Sequence, residues 1–290
     1  MINLFFKVNL TNNHEPATSM LKRTATVLLA LMTSATTWAV DNKAGILGDG
    51  EDIHAVAIDE TNFPDFNFRE NWVLKQAFAA DNYLTDQEAA SVTAIDVSSK
   101  GIADLTGIEY FTALISLNCS DNQLTALDLS KNTALEVLDC SNNYLNALDV
   151  SKNTSLEQLD CSGNKISKGM QALVSSLPQN DGILLVYNSA ANDGNRITTE
   201  QVDAASEKGW LVAAGSGDDW YMYLGILLGD ANGDEYVNVA DIVAVVNHQK
   251  GQDVEGFNLP AADVNDDGKA DGKDAELISK MIMEEREDNQ

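Results

Sequence analysis

Basic residues are scarce in this 290-residue chain: 18 lysines and arginines face 45 aspartates and glutamates, a formal net charge of -27. Such a surface repels phosphate backbones and anionic lipid headgroups, which excludes nucleic acid and acidic membrane surfaces as partners. Histidine is scarcer, with three copies, His14, His54 and His248, far apart in the sequence. No Ser-His-Asp, histidine-metal or phosphate-loop constellation can be assembled from them. A glycosidase needs only two carboxylates, and these abound, but no segment outside the repeats described below is large enough to wall a sugar cleft. The chain is therefore expected not to be an enzyme.

Cysteine numbers three. Tetrahedral zinc needs four ligands, and an odd count in an exported protein can mean an intermolecular disulfide. The spacing of Cys119, Cys140 and Cys161, 21 residues each time, favours a third reading, a small hydrophobe filling one repeated core slot. Long apolar runs are also missing. Lys22 and Arg23 precede an apolar stretch from Ala25 to Leu31 that continues through small residues to Thr37, Trp38 and Ala39. This is far short of the about 20 residues that span a bilayer. It reads as a signal peptide over 1–39, cleaved after Ala39, with Met20 an alternative start. A secreted or cell-surface chain, with no membrane-spanning segment once the leader is removed, is expected.

What the chain has in quantity is repetition. Leu114-x-x-Leu117-x-Cys119-x-x-Asn122-x-Leu124 returns as Leu135-x-x-Leu138-x-Cys140-x-x-Asn143-x-Leu145. It returns again as Leu156-x-x-Leu159-x-Cys161-x-x-Asn164-x-Ile166. One such unit cannot bury its own leucines, so the units must stack, with short strands side by side in a parallel sheet. The asparagines fall where the chain turns, where a buried amide can satisfy unpaired backbone groups. A second rhyme, Leu124-x-x-Leu127-x-Leu129-x-x-Asn132 and Leu145-x-x-Leu148-x-Val150-x-x-Asn153, predicts extended segments on both sides of each coil. The pattern resembles the leucine-rich repeat, a family that generally binds proteins. Its outward strip carries Asn118, Asp139 and Asp160 as candidate contacts. With no tryptophan or tyrosine among the strip residues to serve as a hot spot, a spacer role is an equal reading.

Residues 40–93 read as a mostly helical N-terminal cap. Phe63 to Phe68 precede a helix-like run over Asn71–Phe78, and Thr85 with Glu88 forms a capping box for a second helix. The segment resembles half an EF-hand with Glu88 at the twelfth position, but Ala77 and Ala79 stand at ligand positions one and three, which makes it a degenerate loop. The repeat domain spans 94–223. It starts with an irregular coil at Ile95–Val97 and closes with a helix at Met170–Leu177, a buried strand at Gly182–Tyr187, a capped helix from Thr198, and a last strand at Trp210–Val212.

The C-terminal part, 224–290, holds the clearest chemistry. Asp230, Asn232, Asp234, Asn238 and Asp241 occupy positions 1, 3, 5, 9 and 12 of a twelve-residue loop. Asp263, Asn265, Asp267, Asp271 and Asp274 repeat the same offsets 33 residues later. That is the oxygen spacing with which one loop surrounds Ca²⁺; the carbonyls of Tyr236 and Lys269 supply position 7, and Asn238 and Asp271 act through water. Two Ca²⁺ sites are expected. Each loop runs into an apolar helix face, Ile242, Val243, Val245 and Val246 in one case and Leu277, Ile278, Met281 and Ile282 in the other.

These duplicated loop-helix segments, with Asp rather than Glu at position 12, resemble the type I dockerin. The resemblance implies docking to a cohesin on a scaffold or cell surface, often within polysaccharide degradation. In that family, partner choice lies with positions 10 and 11, commonly Ser and Thr; here they are Val239 and Ala240, then Gly272 and Lys273. Glu235 replaces the glycine expected at position 6. The expected fold is a multidomain α+β chain. It joins a helical cap and a leucine-rich-repeat solenoid to a small all-α, EF-hand-like dockerin by a short linker near Leu224–Gly229. The chain is expected to be a monomer that binds protein partners.

Overall fold

The computed structural model describes residues 55–76, 81–188, 194–216 and 219–288. The leader, His54, Ala77 and Ala79 lie outside them. Seven strands form one sheet in simple sequential order: β3 (Ala94–Asp96), β4 (Ser116–Asn118), β5 (Val137–Asp139), β6 (Gln158–Asp160), β7 (Gly182–Asn188), β8 (Trp210–Ser216) and β9 (Asp219–Met222). All neighbours are parallel except β8 and β9, which are antiparallel. Trp210–Val212 is thus not the last strand: β8 runs on to Ser216 and is paired by β9, which covers what would be an open parallel edge.

The register follows the repeat: Leu117 pairs with Leu138, and Leu138 with Leu159. Each of the repeat strands β4, β5 and β6 is three residues long, so period-2 alternation buries one leucine and turns its two neighbours outward. Those leucines, the leucines three residues before them and all three cysteines are at most 1% exposed. Burying each leucine contributes roughly 1.5–3 kcal/mol.

Buried amides link the coils. The Asn143 side chain accepts from Leu124 N (3.0 Å) and donates to the carbonyls of Cys119, Cys140 and Ser141. Asn122 and Asn164 make the matching sets. Asn195 adds a further rung, accepting from Ile166 N and donating to Cys161 O and Val186 O. Around the second rhyme the expectation of extended segments on both sides fails in one respect. Leu129, Leu148 and Val150 are buried, but residues 124–132 and 145–153 form no strand. Coil-to-coil contact there runs through Asn132, which donates to Ile108 O and Phe111 O, and Asn153, which donates to Leu129 O and Asn132 O.

The N-terminal cap is less helical than its sequence suggests. A strand pair, β1 (Ala55–Ala57) with β2 (Tyr83–Thr85), accompanies two short helices, α1 (Phe66–Asn71) and α2 (Asp86–Ser91). The first helix starts earlier than the Asn71–Phe78 run because Asp65 caps it, accepting from Phe68 N. Trp72, at φ -127°, stops it, and a single 3₁₀ turn at Val73–Lys75 follows. The same Asp65 accepts from Ala103 N in the first coil (2.8 Å), so one carboxylate ties cap to solenoid. Phe63, Phe68 and Phe111, all fully buried, shield the first coil with Trp72. Gly107, at φ +106°, lies against the Phe63 ring where a Cβ would come within 2.2 Å. The Thr85–Glu88 capping box forms on α2 as expected.

At the far end, α3 (Met170–Ser176) and α4 (Thr199–Glu207) cover the core, α4 again opened by a capping box from Thr198 to Gln201. Beyond them lie α5 (Val239–Gln249), α6 (Leu259–Ala262) and α7 (Gly272–Asp288). These helices share a separate core of Ala231, Ala244, Val245, Ala262, Ala270, Ala275 and Ile278. Among the described residues no helix is long and apolar enough to cross a membrane.

Candidate calcium-binding loops and repeat face

The first acidic loop is held in shape by its own carboxylates. Asp230 accepts from the backbone of Asp234 (3.0 Å) and Glu235 (3.0 Å), and Asp241, fully buried at the start of α5, accepts from Asn232 N and Asn238 N. Asn238 caps the helix, accepting from Ala240 N. The result is convergence: oxygens of Asp230, Asp234 and Asp241 all lie within 4.8 Å of one another. Gly233 (φ +72°) and Glu235 (φ +70°) both take left-handed backbone, so the non-glycine at position 6 sits where a Cβ is disfavoured.

The second loop repeats the scaffold. Asp263 accepts from Asp267 N and Gly268 N, and the fully buried Asp274 accepts from Asn265 N and Asp271 N. Asp271 in turn accepts from Lys273 N. Asn265 Oδ1 is buried without a hydrogen-bond partner. An orphaned oxygen among buried carboxylates is a donor set suited to a hard cation. Asp267 is the member drawn outward, 4.0 Å from the Lys273 ammonium. Tyr236 and Lys269 stand at the seventh positions of their loops; the N–H of each donates to the position-5 carboxylate.

The outward strip of the solenoid is also built from side chains turned back on the chain. Asn118, Asp139 and Asp160 each accept from the N–H and the hydroxyl of the serine two residues on, Ser120, Ser141 and Ser162, at 2.6–3.0 Å. Burial pushes the Asp139 carboxyl above its usual range against the Ser141 hydrogen bonds, and the charges of Asp121 and Asp96 push the same way. Burial likewise raises the Cys119 and Cys140 thiols, which keeps them protonated and inert. One exposed aromatic beside this region stands outside the repeated strip positions: Tyr144, in the turn after Asn143, is half exposed, with the Lys165 ammonium 5.0 Å from its ring centre.

Residues 228–283 match the family model of the type I dockerin domain. This C-terminal segment is a type I dockerin. The chain thus joins a leucine-rich-repeat solenoid to a dockerin, a module class that binds calcium and mediates protein–protein interaction. Over 71 residues the chain is 41% identical to Internalin J of Listeria monocytogenes serotype 4b (strain F2365), a stretch covering 24% of this chain and 8% of that protein. Internalin J of serovar 1/2a (strain ATCC BAA-679 / EGD-e) matches at 40% over 71 residues, with the same coverage. The chain therefore spans only 8% of the length of these curated relatives. Among solved structures, the functional domain of InlJ from Listeria monocytogenes, described as including a cysteine ladder, superimposes with a TM-score of 0.36. It shares 37% identity over 39% of this chain and 25% of that one. Internalin C2 of Listeria monocytogenes strain 4b F2365 gives 0.43 at 20% identity, covering 58% and 71%.

On the dockerin, Val239 and Ala240 are exposed at the start of α5, and Gly272 and Lys273 at the start of α7. Val239 and Val243, one turn apart, are both more than half exposed, and so is Tyr236 beside them. The first loop-helix unit therefore offers an apolar outer face, whereas the second offers Lys273 and Glu276. The segment Leu224–Gly229, which the sequence suggests is a linker, is strapped to the solenoid. Ile226 N donates to Ile197 O, and Thr199 N donates to Ile226 O.

Proposed function

We propose that this protein is an exported, non-catalytic interaction protein whose dockerin binds two calcium ions and docks it to a cohesin-bearing partner. Asp230, Asn232, Asp234, Asp241 and the Tyr236 carbonyl would hold one ion, with Asn238 acting through water. Asp263, Asn265, Asp267, Asp274 and the Lys269 carbonyl would hold the other, with Asp271 through water. The ion supplies the positive charge that lets buried carboxylates come together, so that each loop becomes a rigid start for its helix. The convergence of Asp230, Asp234 and Asp241 within 4.8 Å is the observation that carries this reading. Val239, Ala240, Gly272 and Lys273 would then meet the partner. The setting implied by a cohesin partner is polysaccharide degradation at or outside the cell surface.

The test is capture of cohesin modules by the full chain in Ca²⁺ and in chelator. Calcium-dependent capture that disappears in the Asp230→Ala/Asp263→Ala variant supports docking. Absence of calcium binding in the parent chain contradicts it.

Similarity to Internalin J favours a second reading, a surface adhesion or recognition protein in which the calcium module only stiffens the C-terminus. Binding to a partner that survives chelator and responds to changes at Asn118, Asp139 or Asp160 would support it.

A further inference from the structure

The two acidic loops differ in one respect that their sequences conceal. The fourth position of the first loop is Gly233, which has no side chain to offer. The fourth position of the second is Asp266, at φ +57° in the left-handed region, and its carboxylate points away from the ligand set toward the solenoid. Arg196, two residues before the Thr198 cap of α4, meets it with Nη1 at 3.0 Å from Oδ1, and Ser167 Oγ donates to Oδ2 at 2.7 Å. The same guanidinium donates through Nη2 to the carbonyls of Pro260 and Asp263. Asp263 is the first residue of the loop, so one solenoid arginine grips the loop's entry and its fourth residue together. The Arg196 side chain is only 12% exposed and the Asp266 side chain 31%, which shields the pair from water more than an ordinary surface bridge.

The next residues of the solenoid hold the connecting strap. Ile197 O and Thr199 N bond to Ile226 on either side of an isolated parallel bridge between Thr198 and Ile226. Gly225, at φ +82°, passes so close that a Cβ there would lie 2.6 Å from the Thr198 carbonyl. Residues 196–199 thus touch both the strap and the second loop.

We propose that Arg196 is a positioning residue that couples the second calcium loop to the solenoid, so that calcium there locks the dockerin against the solenoid's C-terminal end. This rests on the calcium reading given above. With calcium bound, the loop presents the Asp263 carbonyl and the Asp266 carboxylate in fixed positions for the guanidinium. Without it, the loop loses that shape and the dockerin is held only by the strap. Coupling is reciprocal: if calcium strengthens the grip, the grip strengthens the site. Charge works the other way, since a cation beside a calcium loop repels the ion, but Asp266 neutralises Arg196 at contact distance.

Arg196→Lys separates the two effects, because it keeps the charge and removes the planar fork that reaches three acceptors. In calorimetric titration of the full chain with Ca²⁺, this variant should weaken one of two sites by about fivefold and leave the other unchanged. Hydrogen exchange should show calcium protecting residues 196–199 and 224–229 in the parent but not in the variant, while α5 and α7 gain protection in both. Ser167→Ala, which alters no charge, should weaken the same site by about twofold, and serves if Arg196→Lys does not fold. Two-site binding with unchanged affinities in the variants overturns the coupling and leaves the calcium reading intact. A parent chain that binds no calcium overturns both.

Discussion

The solenoid and the dockerin solve the same local problem with different chemistry. Each must satisfy backbone N–H groups in tight turns, and each does so with a buried side-chain oxygen: Asn143 for Leu124 in the solenoid, Asp230 for Asp234 and Glu235 in the dockerin. An amide both accepts and donates, so Asn143 also satisfies three carbonyls and leaves no charge behind. A carboxylate only accepts. Four of them, Asp230, Asp241, Asp263 and Asp274, are at most 6% exposed, and that much buried negative charge calls for a cation. The cores differ in step. Stacked leucines fill the solenoid, whereas five of the seven core residues of the dockerin are alanines, so apolar burial does less to hold it. On the calcium reading proposed above, the solenoid would hold its fold by apolar burial alone and the dockerin would need its ion.

Exchanging one amide for one acid should break this contrast most severely. Asn143→Asp buries a charge in the solenoid and turns one of its oxygens toward three carbonyls, while the other still accepts from Leu124 N. We expect a loss of about 4 kcal/mol in chemical denaturation at neutral pH, partly relieved in acid as the carboxyl takes up a proton. The reverse exchange, Asp241→Asn, removes a charge and one of two accepted N–H bonds at the first calcium loop. Affinity at that site should fall roughly a hundredfold, near 3 kcal/mol, in calcium titration, while melting of the solenoid stays unchanged.

These exchanges also mark what was legible in the sequence. The period-21 pattern carried the parallel sheet, the buried cysteines and the turn asparagines, because each residue in it answers to its nearest neighbours alone. The oxygen spacing likewise includes Asp230, Asp234 and Asp241, the three carboxylates that the first loop brings within 4.8 Å of one another. What escaped was long-range or local in an irregular way. Asn195 stands 31 residues after Asn164, so it falls out of register although it fills the same slot. The early start of α1 depends on Asp65, whose second oxygen serves a coil 38 residues away. Arg196 reaches Asp266 across 70 residues, and no motif announces a single arginine of that kind. The strand β9 had no signal beyond a short aromatic run.

Smaller effects sharpen the comparison further. Glu235→Gly removes a side chain from left-handed backbone (φ +70°) and should tighten calcium at the first loop by about 1 kcal/mol, read by titration. Asp139→Asn should stabilise the solenoid by roughly 0.5 kcal/mol at pH 7, since Asn118 already makes the same serine turn without charge. The sign follows from the raised Asp139 carboxyl. The folded chain holds that proton more tightly than the unfolded one, so the residue contributes most in acid and loses its contribution as pH rises through the folded value. The advantage of the variant should therefore vanish as pH falls into the carboxylate range, which denaturation at several pH values would check.

The most direct test of the account is hydrogen exchange on the full chain in excess Ca²⁺ and in chelator. Calcium should protect amides in 228–283, in the strap and in residues 196–199, while β4, β5 and β6 exchange equally slowly in both. Strands that lose protection in chelator, or dockerin helices equally protected without the ion, would contradict it.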